Sequence, residues 1–236
     1  MVEFYQGRGQ QSRWHIICRE ETLIIRSILV VNPKGGSGKT TIATNLAGFF
    51  AAHGKRVVLA DMDRQQSAAN WLARRPETVP HIKAWTADTD KKDIKSYDAH
   101  WTIVDSPAGV HGEKLTNLLR RVELIVVPVS PSVFDIEATK NFLAELRAEK
   151  PVKKGESQVA VIGNRVDART LVADELETFL ASLELPILTY LRDTQNYFHC
   201  ARDGHSLFDV APSRVEHDLE QWKPVGRWLV RQAKAA

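Results

Sequence analysis

Asn32-Pro33-Lys34-Gly35-Gly36-Ser37-Gly38-Lys39-Thr40-Thr41 decides how the rest of this chain is read. Ahead of it runs Ile28-Leu29-Val30-Val31, an apolar stretch with the composition of a buried strand. Behind it Ile42, Leu46, Phe49 and Phe50 recur at helical spacing. Strand, glycine-rich loop and helix together form a setting for phosphate. Glycines let the backbone curl so that successive N–H groups face one anion, and the helix start adds its positive end. In that setting Lys39 reaches the terminal phosphates and the Thr40 hydroxyl sits on Mg²⁺, with Gly35, Gly36, Ser37, Gly38 and Thr41 completing the cradle. The general spacing G-x-x-x-x-G-K-[ST] asks for glycine at position 33, where this chain has Pro33. A second lysine, Lys34, stands directly before the glycine pair.

The composition is that of a soluble α/β domain. A chain of 236 residues, 43% hydrophobic and 26% charged, is long enough for one sizeable core. The formal charge of +3 permits nucleic acid or an anionic membrane as partner and demands neither. Two cysteines, Cys18 and Cys200, make no disulfide framework, as expected in a reducing cytosol. No apolar run approaches the ~18 residues of a membrane span. Arg8, Arg13, Arg19 and Glu20 interrupt the first 26 residues, which therefore lack a secretory core.

Further along, apolar runs alternate with helical stretches. Strands are expected at 56–60, 101–105, 124–129, 159–162 and 187–191, with Ile82 to Trp85 as an edge strand. Helices are expected from Ala68 to Arg74, from Asp135 to about Lys150, and from about Thr170 to Ser182. Continuous apolar strands separated by helices predict a doubly wound, mostly parallel sheet covered on both faces, in a single domain spanning 27–236. Residues 1–26 precede the first clear strand and form an N-terminal extension, either an arm, an added strand from Thr22 to Arg26, or sequence ahead of the true start.

In such sheets ligands gather beyond the carboxyl ends of the strands, so the polar residues there are the ones to read. Asp105 ends an apolar strand, where a carboxylate orients Mg²⁺ or its water. Asp61 and Asp63 are two apart at another strand end and are expected to point the same way, one near the metal and one near the γ-phosphate. Asn164, in Asn164-Arg165-Val166-Asp167 after a strand, carries an amide that can both donate and accept, although a plain Asn-Asp turn has the same composition. His199, Cys200 and His205 match no standard metal spacing. At the C-terminus Lys223, Arg227 and Arg231 fall at i, i+4 and i+8 and form one basic stripe, opposite Trp222, Val225, Trp228 and Leu229. Three readings of that stripe stand side by side: a solvated outer face, a contact to the phosphate backbone of DNA, or a membrane-surface helix.

The run KGGxGKTT resembles the deviant Walker A motif of the ParA/MinD class of ATPases, a loop shared with nitrogenase iron protein, arsenite-pump ATPases and cobyrinic-acid synthases. Asp105-Ser106-Pro107-Ala108-Gly109 is similar to the family's Walker B turn, with Ala108 in place of a proline. Asp61-Met62-Asp63-Arg64-Gln65 resembles D-x-D-P-Q, with Arg64 in place of proline, and Ala201-x-x-Gly204-x-Ser206 resembles the closing A-x-x-G-x-S. The resemblance runs from residue 27 to about 210. It implies a P-loop NTPase fold and a weak ATPase, stimulated by DNA and a partner, that dimerises around two ATP molecules with Mg²⁺. In that picture Lys34 crosses to the partner's nucleotide, Lys39 and Asp63 serve hydrolysis, Thr40, Asp61 and Asp105 serve the metal, and Asn164, in a run that resembles the family's N-x-x-D, contacts the adenine edge. It also implies a cytoplasmic, nucleoid-associated protein that binds DNA without sequence preference. Such a protein positions a cargo (plasmid, chromosome, carboxysome or chemoreceptor cluster) through an adaptor protein. A MinD-like membrane-surface ATPase and a metabolic enzyme of the cobyrinic-acid ligase type are the alternatives, and a membrane partner is the less expected.

Overall fold

The computed structural model describes residues 26–86 and 98–234, the side chains of Thr86 and Lys234 excepted. The expected N-terminal extension lies outside the described residues apart from Arg26, which opens the first strand. Seven strands form one sheet: β1 (Arg26–Val30), β2 (Val57–Asp61), β3 (Lys83–Thr86), β4 (Trp101–Asp105), β5 (Leu124–Val129), β6 (Gln158–Val166) and β7 (Ile187–Arg192). Their order is β3-β2-β4-β1-β5-β6-β7, and every pairing is parallel. The chain first winds outward from β1 to the β3 edge, returns through β4, and then winds the other way to β7. β1, followed by the phosphate loop, is therefore the strand at which the order reverses, the place where open α/β sheets bind ligands.

Side-chain alternation gives each face its own core. On one face Ile28, Val30, Leu59, Ile103 and Val126 pack beneath α1 (Lys39–Ala52), α2 (Ser67–Ala73) and α8 (Pro212–Lys234). On the other, Leu29, Val31, Val58, Val104 and Val127 pack beneath α3 (Gly112–Leu119), α4 (Val133–Ala148) and α6 (Leu171–Ala181). Two short helices, α5 (Lys150–Lys153) and α7 (Gln195–Arg202), complete the set.

The C-terminal region departs from expectation. The sequence marks a basic stripe and an apolar side only from Trp222 onward, with Pro224 and Gly226 among them, yet α8 begins at Pro212 and runs through Pro224. Its one break is at Val215, with φ −133° and ψ 21°. Burial overrides propensity here: Trp222, Val225, Trp228 and Leu229 are all sealed against the sheet. The turn before α8 explains the A-x-x-G-x-S pattern. Gly204 has φ +71°, and a Cβ there would lie 2.5 Å from the backbone of Arg74 and Arg75 at the end of α2. A Cβ on Gly48 in α1 would lie 2.0 Å from the Ser206 hydroxyl. Arg75 then donates to both oxygens of Asp209 at 2.8 Å, and Leu207 N–H donates to Asn45 of α1 at 2.9 Å. α1, α2 and the turn are locked together.

Candidate functional site

The phosphate loop leaves β1 and enters α1 through glycines in the left-handed region, Gly36 at φ 81° and Gly38 at φ 91°. No side chain caps the start of α1, and its first turn carries no acidic residue. Those first N–H groups are the donors a helix start offers an anion. Gly38 is also the only residue type that fits: a Cβ there would stand 2.1 Å from the Asn164 amide nitrogen.

Inside the loop the cations are arranged by main chain. Lys39, 8% exposed, folds back so that Nζ donates to the Lys34 carbonyl at 2.8 Å. Ser37 Oγ donates to the same oxygen at 3.2 Å. Burial pushes the Lys39 ammonium below its ordinary range, opposed by the charges of Asp105 and Asp63. The Lys34 N–H in turn donates to Asn32 Oδ1 at 2.9 Å. Asn32 is fully buried and fixed by its own donations to the Pro128 carbonyl (2.8 Å) and to Thr139 Oγ1 of α4 (3.0 Å). Both sides of the Lys34 peptide are thus held, while its ammonium has no partner among the described residues.

Parallel register brings the acids together: Asp61, the last residue of β2, pairs with Asp105, the last of β4, which also lies beside Val30 of β1. Thr40 Oγ1 donates to Asp105 Oδ2 at 2.7 Å. Asp105 Oδ1 is buried and has no hydrogen-bond partner among the described residues. Burial, with the nearby charges of Asp61 and Asp63, pushes the Asp105 carboxyl up to about 7 against the opposing effects of Thr40 and Lys39. An orphaned carboxylate oxygen beside a hydroxyl at the foot of a phosphate loop is a hard-oxygen donor set of the kind Mg²⁺ takes. Thr40 and Asp105 fit the metal.

Asp61 and Asp63 both lie close enough to Asp105 for their charges to raise its carboxyl. β2 ends at Asp61, so the alternation that aligns residues two apart does not extend to Asp63. Asp61 is buried, and its two oxygens accept the N–H groups of Asp63 and Ala69, both at 2.9 Å, which ties down the loop from β2 to α2. Asp63 is half-buried and accepts the Gln65 N–H at 3.0 Å, close enough to Lys39 and Asp105 to affect both. Asp61 therefore ties down the loop from beside Asp105, and Asp63 lies within reach of the charges of both Asp105 and Lys39.

Asn164, 4% exposed, donates through Nδ2 to the Ser37 carbonyl at 2.9 Å, so one edge of its amide holds the phosphate loop. Thr41 is half-buried one turn into α1, and its carbonyl takes the Asn45 amide at 2.8 Å. At the C-terminus, Arg227 and Arg231 are exposed and unpaired among the described residues. Lys223 instead pairs with Glu220, three residues before it, an acid the stripe as read from Trp222 onward leaves out. Asn32 and Arg165, whose guanidinium lies 3.4 Å from the Gly36 carbonyl, are site residues that the sequence reading passes over. A polar residue ending an apolar strand signals the first, and an isolated glycine inside a strand, Gly163, signals the second.

Comparison with known proteins converges on this architecture. The family described as the CobQ/CobB/MinD/ParA nucleotide binding domain matches residues 28–207. The Maintenance of carboxysome distribution protein A of Gloeobacter kilaueensis is 29% identical over 217 residues, 87% of this chain and 94% of that protein. The chromosome-partitioning ATPase Soj of Thermus thermophilus is 29% identical over 194 residues, 66% of this chain and 76% of that protein. Among solved structures, a plasmid partition protein of Borrelia burgdorferi bound to AMPPNP superposes with a TM-score of 0.69 at 15% identity, covering 88% of this chain and 99% of that one.

Proposed function

This chain belongs to the CobQ/CobB/MinD/ParA family of nucleotide-binding domains, and from that premise we propose that it is an ATP-dependent positioning or partition ATPase that works as a homodimer on nucleoid DNA. The observation that carries the reading is Lys34. Its peptide is fastened on both sides by Asn32 and Lys39, and its ammonium has no partner among the described residues. Lys39 already serves the nucleotide on its own chain, so a second presented cation suits the phosphates of a facing subunit. The relatives that cover most of the chain are named for carboxysome distribution and chromosome partitioning.

Within one subunit Thr40 and Asp105 hold Mg²⁺, which when bound neutralises phosphate charge. The N–H groups of Gly36 to Thr40 and the Lys39 ammonium hold the phosphates. Asn164 steadies the loop from below through Ser37 and presents its remaining amide edge toward a base. Asp63, near Lys39 and Asp105, orients the attacking water, which phosphoryl transfer needs more than covalent chemistry. Arg227 and Arg231 supply unpaired cations for DNA phosphates, and dimerisation doubles them. An adaptor on the cargo stimulates turnover.

Lys34→Ala tests this directly by light scattering with and without ATP, paired with a DNA shift across a salt series. We expect monomeric ATP binding to persist while the ATP-dependent dimer is lost and DNA affinity and hydrolysis fall with it. Wild-type dimerisation and DNA binding in that variant would refute the dimer. Pelleting of the wild type with anionic liposomes in ATP, without a DNA shift, would move the reading to a membrane-surface ATPase. Turnover that requires an organic acid and ignores DNA would move it to a metabolic enzyme.

A further inference from the structure

Arg165 sits where a regular strand would not put it. Neighbouring side chains on a strand point to opposite faces, yet Asn164 and Arg165 reach successive carbonyls of the same loop, Ser37 at 2.9 Å and Gly36 at 3.4 Å. A break in the β6–β7 register between Gly163 and Val166 makes this geometry. There Arg165 takes φ 56°, a left-handed conformation that arginine rarely adopts. The bulge is anchored from behind, since a Cβ on Gly163 would meet the Tyr190 ring at 2.5 Å. Bulges beside sites re-aim a side chain, and here the re-aimed group is an arginine.

Strain alone says little. Glu184 also has a positive φ of 46°, ahead of β7 and so at the opposite ends of the strands from the loop. What sets Arg165 apart is its destination and its lack of a partner. It is exposed at the loop mouth, and its guanidinium makes one long bond, to Gly36. The nearest acid in sequence, Asp167, is occupied: Arg169 donates to its two oxygens at 2.9 and 2.8 Å and holds its carboxyl down at about 2. No acid among the described residues pairs with Arg165.

We propose that Arg165 is a nucleotide-binding residue, its guanidinium leaving the Gly36 carbonyl to take phosphate oxygens of the nucleotide in the loop. This rests on the reading of the loop as a nucleotide site. A planar fork suits phosphate oxygens in a way a lysine does not. The weak contact to Gly36 keeps the side chain at the rim at little cost to release.

The left-handed backbone makes the test clean, because glycine takes that conformation without strain. Arg165→Gly is expected to melt at or above the wild-type temperature without nucleotide, yet to bind Mg-ATP about tenfold or more weakly by calorimetry. Arg165→Lys should recover only part of that affinity and show no gain in melting temperature. An Arg165→Gly affinity for Mg-ATP equal to wild type would overturn the proposal. So would a loss of affinity matched by a loss of thermal stability, since that is what a merely structural residue gives. Lys39→Ala run alongside separates the two levels. If it loses ATP while Arg165→Gly does not, the site reading stands and this inference falls. If the wild type takes up no Mg-ATP, both fall.

Discussion

Asp105 and Asp209 are both carboxylates sealed from water, and the fold treats them in opposite ways. Asp209 sits under the C-terminal turn, where Arg75 donates to both of its oxygens and the Ser206 N–H and hydroxyl add bonds at 2.7 and 2.6 Å. Asp105 sits under the phosphate loop with one bond from Thr40 and an oxygen with no partner among the described residues. The first charge is completed by the protein. The second is left incomplete, and burial pushes its carboxyl up to about 7. A buried charge that a fold satisfies is part of its structure, whereas one left short is held for a ligand. The two regions share α1, so a rigid fastening stands directly behind a poised site.

The contrast can be broken most forcefully at Asp209. Asp209→Ala leaves Arg75, 5% exposed at its side chain, as an unpaired buried cation. It should cost about 3–5 kcal/mol of stability in a denaturant melt. A loss under about 1 kcal/mol would mean that the turn is not a fastening.

Asp105 sharpens the contrast through pH. Its folded pKa of about 7 lies above its ordinary value of 3.8, so between those values the folded protein binds more protons than the unfolded chain. Stability in EDTA should therefore fall as pH rises from about 4 to about 7, by up to a few kcal/mol. Asp105→Asn should flatten that slope, and added Mg²⁺ with ATP should release a proton near neutral pH in wild type but not in the variant. An unchanged slope in thermal melts would show that Asp105 is not the poised group.

Lys39→Ala gives the smallest change in free energy. Removing a charge-assisted contact should weaken ATP binding by about 1.5–3 kcal/mol in a calorimetric titration. Stability should hold or rise, because burial already disfavours the Lys39 ammonium. Unchanged ATP affinity would end the assignment of the loop.

The same division explains what could be read in advance. Strands β1, β4 and β5 are buried and mostly apolar, and with the glycine loop between strand and helix they give the sheet, its winding and the phosphate site directly. The short helices α3 and α7 escape, the latter because only the Thr194 cap and the single buried Cys200 mark eight mostly polar residues. The start of α8 escapes because Pro224 and Gly226 argue locally for a break that packing of Trp222 and Trp228 overrides. Within the site, residue types and spacing single out Lys34, Lys39, Thr40, Asp63, Asp105 and Asn164. They do not show that Asp61 spends both oxygens on backbone N–H groups, because that depends on where β2 stops and α2 begins. Nor do they show Arg165 turning toward the loop, since a bulge is a property of two strands in register.

Arg26, at the foot of β1, carries one more consequence. Its guanidinium donates to the carbonyls of Gln232, at 2.8 Å, and Ala233, near the end of α8. The two ends of the described fold therefore meet at the amino ends of the central strands, opposite the phosphate loop. A short peptide joining them would close the backbone into a ring, and new ends could then be opened at an exposed turn such as 76–81. A fluorescent reporter fused at the old seam would ride a full strand length, roughly 17 Å, from the loop, so that tracking the protein in a cell need not touch its chemistry.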